Sequence, residues 1–191
     1  MKEEKSENRT RCFIALELPR EAINYVKELQ KTLEKKNLFT GKFTEAENLH
    51  LTLKFLGEIE EEKIDEVKKK LREVKMKSFE ARLGEVGVFS SKYSSYVRVI
   101  WLKLDRKGIF ELQKEIDENL KEIFNKEERF MSHITIARVK HVKNRKELID
   151  YVKNLKTQKI KFKVDKFFLK KSELKPEGSV YEDLEEYKLE N

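Results

Sequence analysis

The chain has 191 residues, with 43 Lys or Arg against 36 Asp or Glu, a net charge of +7, and one cysteine, Cys12. That length supplies one sizeable core unaided. A lone cysteine excludes a disulfide framework, and the lack of an 18-residue apolar run or a cleavable N-terminal apolar segment argues against a membrane span or secretion. The expected setting is cytoplasmic, and the modest basic excess fits either an anionic partner such as RNA or the Lys- and Glu-rich ion-pair surface of a thermophile.

Residues 1–10 are charged without periodicity and are expected to form a disordered tail ahead of a single domain over 11–191. CFIALEL at 12–18 reads as a core strand, and Pro19 suits the first turn of a helix carrying Ala22, Val26, Leu29 and Leu33 at helical spacing. After a loop holding Gly41 comes Leu49-His50-Leu51-Thr52-Leu53, a strand that Gly57 should end. Leu49, Leu51, Leu53 and Phe55 would line its apolar face, and His50, Thr52 and Lys54 the other. Lys54 is thereby within reach of an RNA phosphate.

Residues 60–76 read as a second helix on Ile64, Val67, Leu71 and Val74. Strands over 79–88 and 96–104 should flank a Ser-rich loop with Tyr93 and Tyr96, which are suited to packing or to stacking on bases. A helix on Ile109, Leu112, Ile116, Leu120 and Ile123 leads to Ser132-His133-Ile134-Thr135-Ile136, a second strand of the same kind. A short helix through Leu148 to Leu155 follows, then one strand alternating over Ile160, Phe162, Val164 and Phe168, and a last strand over 181–189 beyond the turn at Pro176 to Gly178.

Two of the three histidines thus share an H-x-T setting, 83 residues apart and at equivalent points of a repeated β-α-β-α-β order. This implies an α+β fold of two pseudo-symmetric lobes, approximately 11–90 and 91–191, with antiparallel-rich sheets flanked by helices. Each lobe would contribute one His and one Thr to a cleft between them. Two imidazoles facing one pocket can divide general acid and general base work near neutral pH, and two hydroxyls beside them can donate to an oxyanion. A phosphate is the natural ligand, and the reaction suggested is in-line displacement at phosphorus. No metal or other cofactor is required, since no carboxylate or cysteine stands at ligand spacing from the histidines. The competing reading makes both histidines structural sheet residues, which the repetition disfavours, and Thr is ordinary in strands by propensity. His141 continues the parity of His133 and is read as a surface residue, and Cys12 as an inert apolar filler.

HLTLKFLG at 50–57 and SHITIAR at 132–138 resemble the two-histidine (2H) phosphoesterase superfamily, and within it the RNA 2',3'-cyclic phosphodiesterases, also described as 2'-5' RNA ligases. With CFIALELP at 12–19, ENLHLTLKFLGE at 47–58 and a Trp-bearing strand at Val99 to Leu104, the resemblance covers most of the chain. It implies that His50 protonates the leaving 3' oxygen, that His133 activates water, and that Thr52, Thr135 and Arg138 bind the phosphate. It further implies a 2'-phosphate product and an ATP-independent joining of a cyclic phosphate end to a 5'-hydroxyl. The implied partner is RNA with 2',3'-cyclic phosphate ends, tRNA fragments among them, with no membrane and no obligate protein partner. The alternatives are a catalytically silent RNA-end-binding module, or a 2'-5' linkage or nucleotide cyclic phosphodiesterase. Two features depart from the pattern. Strand parity turns Arg138 away from His133 unless the strand bulges near Ala137, and Gly178-Ser179-Val180-Tyr181 lacks a proline after its glycine, in what is expected to be a distal turn.

Overall fold

Apolar alternation and 3.6-residue periodicity build most elements where they occur in the sequence. A computed structural model of the chain describes residues 9–90, 96–176 and 178–191. The first strand, β1 (Thr10–Glu17), buries five residues in succession, Cys12 to Leu16, because both of its faces are covered. Pro19 N-caps α1 (Arg20–Lys36), whose buried stripe is Ala22, Val26, Leu29 and Leu33; Asn37 ends it in the left-handed conformation. Next come β2 (Phe39–Phe43), β3 (His50–Ile59), α2 (Glu61–Leu71), β4 (Phe79–Ser90), β5 (Val97–Asp105) and α3 (Lys107–Asn119). The chain then runs through β6 (His133–Val142), α4 (Arg145–Lys153), β7 (Lys161–Val164), β8 (Lys166–Lys175) and β9 (Gly178–Lys188).

The fold is α+β, and every strand ladder is antiparallel. The strands form a single sheet in the order β7-β4-β5-β6-β3-β1-β8-β9, with β2 paired to the outer half of β6. The strands bearing His50 and His133 are central neighbours, joined through the pair Leu51 and Ile134. The two halves of the sheet are not the two halves of the chain. β4, from the first half, pairs with β5 beside the His133 strand, and β8, from the second, pairs with β1 beside the His50 strand. Each half therefore donates its last strands to the other, which locks the two together. Helices pack against the sheet, α1 on β6, α3 on β3 and β4, and α4 on β4. The core between them takes Leu51, Ile134, Ile136, Ile100 and the helix stripes.

Three expectations are corrected here. The region around Gly41 is not a loop but β2; glycine is required there because a Cβ would meet Arg138 O at 2.2 Å across the ladder. Gly57 does not end its strand: with φ of +76° it carries β3 through a kink to Ile59. Finally, 160–168 is not one strand. Phe167 and Phe168 are both buried, which breaks the alternation, and strand pairing is interrupted at Asp165, so that β7 pairs with β4 and β8 with β1.

Candidate active site

The polar face of the two central strands forms the floor of a cleft of about 610 Å³, and His50, Thr52, His133, Thr135 and Arg138 all line it. Both histidines enter in the same way. The ring Nδ1–H of His50 donates to Asn48 O at 2.8 Å, and that of His133 donates to Met131 O at 2.7 Å. In each case the carbonyl two residues upstream fixes one tautomer and leaves Nε2 as the free nitrogen. The Thr52 hydroxyl stands 3.0 Å from Nε2 of His50 and can donate to it.

Both strands also bulge at the same point. On β3, Thr52 pairs with Ala15 and Lys54 with Ile14, so Leu53 is the extra residue. On β6, Thr135 pairs with Trp101 and Ala137 with Ile100, so Ile136 is the extra residue. A one-residue bulge reverses side-chain parity beyond it. On β6 the reversal turns Arg138 into the cleft, as its place in the site requires. The Ile136 carbonyl at the bulge accepts from Thr44 N at 2.9 Å and from Gln30 Nε2 of α1 at 3.0 Å.

On β3 the same reversal overturns two expectations. Phe55, expected in the core, is 73% exposed at the cleft, the position that Arg138 holds on β6. Lys54, expected to face RNA, is buried on the other side. Its ammonium donates to Asp117 Oδ1 of α3 at 2.5 Å and to Asn125 O at 2.8 Å. Asp117 in turn accepts from Gln113 Nε2 and from Glu127 N. The bulged strand is thereby tied to the segment that leads into His133.

Aromatic rings flank both histidines. Phe13 lies 5.0 Å from the His50 ring, and Tyr181 meets it edge-on at 5.2 Å; Phe89 stands edge-on to His133 at 4.9 Å. Burial under these rings, with the charges of Lys170, Arg138 and His133 nearby, pushes the His50 pKa down to about 4, against an opposing contribution from Asn48 O. In the free protein His50 is neutral at pH 7.

The turn expected to be distal is part of the wall, since Gly178, Ser179 and Tyr181 line the cleft. Asn48 holds it there, donating from Nδ2 to Ser179 O at 2.9 Å. Phe13, Asn48, Phe55, Phe89 and Tyr181 are the neighbours that reading the motifs missed. Asn48 and Phe55 stood within ENLHLTLKFLGE and Phe13 within CFIALELP, whereas Tyr181 arrives from 131 residues beyond His50. His141 is exposed and paired with Thr40, outside the cleft. Tyr96 is exposed at the start of β5, and Tyr93 lies outside the described residues. Cys12 is buried, with its thiol pushed up to about 11 by desolvation. No group of three or more potential metal ligands occurs among the described residues, and no helix there is long and apolar enough to cross a membrane.

Comparison with known proteins finds the same pattern over nearly the whole chain. A family model described as LigT like Phosphoesterase matches residues 16–101 and 103–181. An RNA 2',3'-cyclic phosphodiesterase of Methanocaldococcus jannaschii is 35% identical over 93% of this chain and 99% of its own length. One of Methanothermobacter thermautotrophicus is 33% identical over 95% and 100%. Among solved structures, a protein of Thermus thermophilus superposes with a TM-score of 0.75 at 27% identity, covering 93% of this chain and 97% of that one. Escherichia coli LigT in apo form gives a TM-score of 0.76 at 22% identity over 96% and 99%, a likeness of fold.

Proposed function

We propose that this chain, which belongs to the LigT-like phosphoesterase family, hydrolyses the terminal 2',3'-cyclic phosphate of RNA to a 2'-phosphate. The observation that carries the reading is the pair of identically oriented histidines, each presenting Nε2 to one cleft beside a threonine. Water attacks phosphorus in line with the 3' oxygen. His133 takes the water proton at Nε2, the bond from phosphorus to the 3' oxygen breaks, and His50 delivers a proton to that oxygen. Thr52, Thr135 and Arg138 hold the nonbridging oxygens as charge builds on them.

His50 must be charged to act as the acid, although it is neutral in the free protein. The bound phosphate anion supplies the missing opposite charge, and Asn48 O stabilises the imidazolium, so substrate binding takes up a proton. The low pKa of His50 also favours a second reading with the roles exchanged, in which neutral His50 is the base and His133 the acid. With a 5'-hydroxyl in place of water as the nucleophile, the same groups would join a cyclic phosphate end to it without ATP, the 3' oxygen leaving as before. The test is to incubate the protein with excess EDTA and an oligoribonucleotide ending in 2',3'-cyclic phosphate, and to identify the product end. A 2'-phosphate is expected. A 3'-phosphate, loss of turnover in EDTA, or no turnover at all would contradict the proposal, the last leaving a silent RNA-end-binding module.

A further inference from the structure

The charge of this chain is concentrated in one stretch. Residues 138–163 hold ten Lys or Arg against two carboxylates, Glu147 and Asp150, a surplus of eight, while the chain as a whole has a surplus of seven. Everything outside the stretch is therefore slightly acidic. Most of the stretch is also unneutralised, Lys161 with Glu80 being the exception. Each of the four β8 lysines, Lys166, Lys170, Lys171 and Lys175, pairs with a carboxylate. Among the described residues, by contrast, Lys140, Lys143, Arg145, Lys146, Lys153 and Lys156 make no ion pair.

Two of these cations also lie where folding gains nothing from them. Arg145 and Lys146 occupy the first turn of α4, at the positive end of the helix dipole, a position that disfavours cations. The stretch begins in the cleft at Arg138 and leaves it along the outer half of β6, reaching Lys143 about 16 Å away at strand spacing. A stacked single strand covers that distance in about five nucleotides at roughly 3.4 Å each.

We propose that this surface, from the end of β6 over the first turn of α4, binds the phosphate backbone of the RNA whose 3' end enters the cleft. The substrate is then an oligonucleotide rather than a cyclic mononucleotide. The proposal rests on the phosphodiesterase reading for the identity of the end, and on the charge distribution for the body of the strand.

The test compares the intact chain with a triple variant, Lys143→Gln, Arg145→Gln and Lys146→Gln, all exposed and outside the cleft. Two substrates are used, cytidine 2',3'-cyclic monophosphate and a ten-nucleotide RNA ending in 2',3'-cyclic phosphate, each from 50 to 300 mM KCl. The intact chain is expected to show a KM for the ten-mer at least ~10-fold below that for the mononucleotide at low salt, with a steep salt dependence. Its logarithmic slope should fall by about 0.7 for each phosphate contact the variant loses. The variant should raise the KM of the ten-mer severalfold and leave kcat and the mononucleotide KM unchanged. An unchanged ten-mer KM and salt slope would overturn the surface. If neither substrate turns over, the phosphodiesterase reading fails, and fluorescence anisotropy with a 3'-phosphorylated ten-mer still decides the surface: equal affinity for intact chain and variant overturns it. Salt-sensitive binding to phosphatidylserine vesicles that the variant loses, with RNA affinity unchanged, would assign the surface to a membrane instead.

Discussion

Replacing Lys54 by Met removes one side of an ion pair in which both residues are 5% exposed. The Asp117 carboxylate would remain buried with only the Gln113 amide and the Glu127 backbone N–H as donors. Breaking a buried pair from one side costs about 3–5 kcal/mol, since the remaining charge is uncompensated. The double variant Lys54→Met with Asp117→Leu removes both charges; Asn125 O is left unpaired in both variants, so in place of the buried charge the double variant adds chiefly the neutral Glu127 N, at roughly 1–3 kcal/mol. It should therefore be more stable than the single variant. The single variant should also lose kcat by at least ~10-fold while folded, because the pair ties the bulge that turns out Phe55 to the segment that delivers His133, and small misplacements of reacting groups are costly. Urea unfolding at constant m-value and steady-state kinetics on the same samples measure both effects. A loss below about 1 kcal/mol in the single variant, or a double variant less stable than the single, would refute the reasoning.

Titration of His50, followed by NMR on labelled imidazole, should give a value near 4 in the free protein, rising toward or above 6.5 when inorganic phosphate fills the cleft. A free-protein value near 6.5 would contradict the burial argument. Because folding depresses this pKa from 6.5 to about 4, the unfolded chain binds more protons between those values. The corresponding stability is present above pH 6.5 and is lost as pH falls toward 4. His50→Gln should flatten that part of the pH–stability curve, and an unchanged curve would assign the acid sensitivity elsewhere. Thr52→Val and Thr135→Val should each lower kcat/KM by roughly 100- to 1,000-fold with little loss of thermal stability, the scale of one lost oxyanion donor. A change below twofold in either would remove that threonine from phosphate binding.

The helices, the core strands and the H-x-T pair were legible in the sequence because each obeys a local period. Ala22, Val26, Leu29 and Leu33 are buried as their spacing requires, and His50 and His133 share the polar side of neighbouring strands. What escaped reading was set by partners far along the chain. The bulges at Leu53 and Ile136 leave no mark in composition, yet they decide which way Lys54, Phe55 and Arg138 point. Parity counting failed at Phe55 and Lys54, and for Arg138 it identified the bulge that was needed. β2 escaped because Thr40-Gly41-Lys42 reads as a loop until β6 is beside it. Tyr181 became part of the site only through the exchange of β8 and β9 onto the His50 side of the sheet.

The central claim is the division of labour between the histidines, and a leaving group that needs no proton tests it most directly. His50→Ala and His133→Ala are each expected to lower the rate on a 2',3'-cyclic phosphate end by at least ~100-fold. With sulfur in place of the 3' oxygen, His50→Ala should recover to within about tenfold of the intact protein, because a thiolate leaves unprotonated, while His133→Ala should stay slow. Recovery of His133→Ala instead would exchange the two roles, and recovery of neither would contradict acid catalysis by this pair.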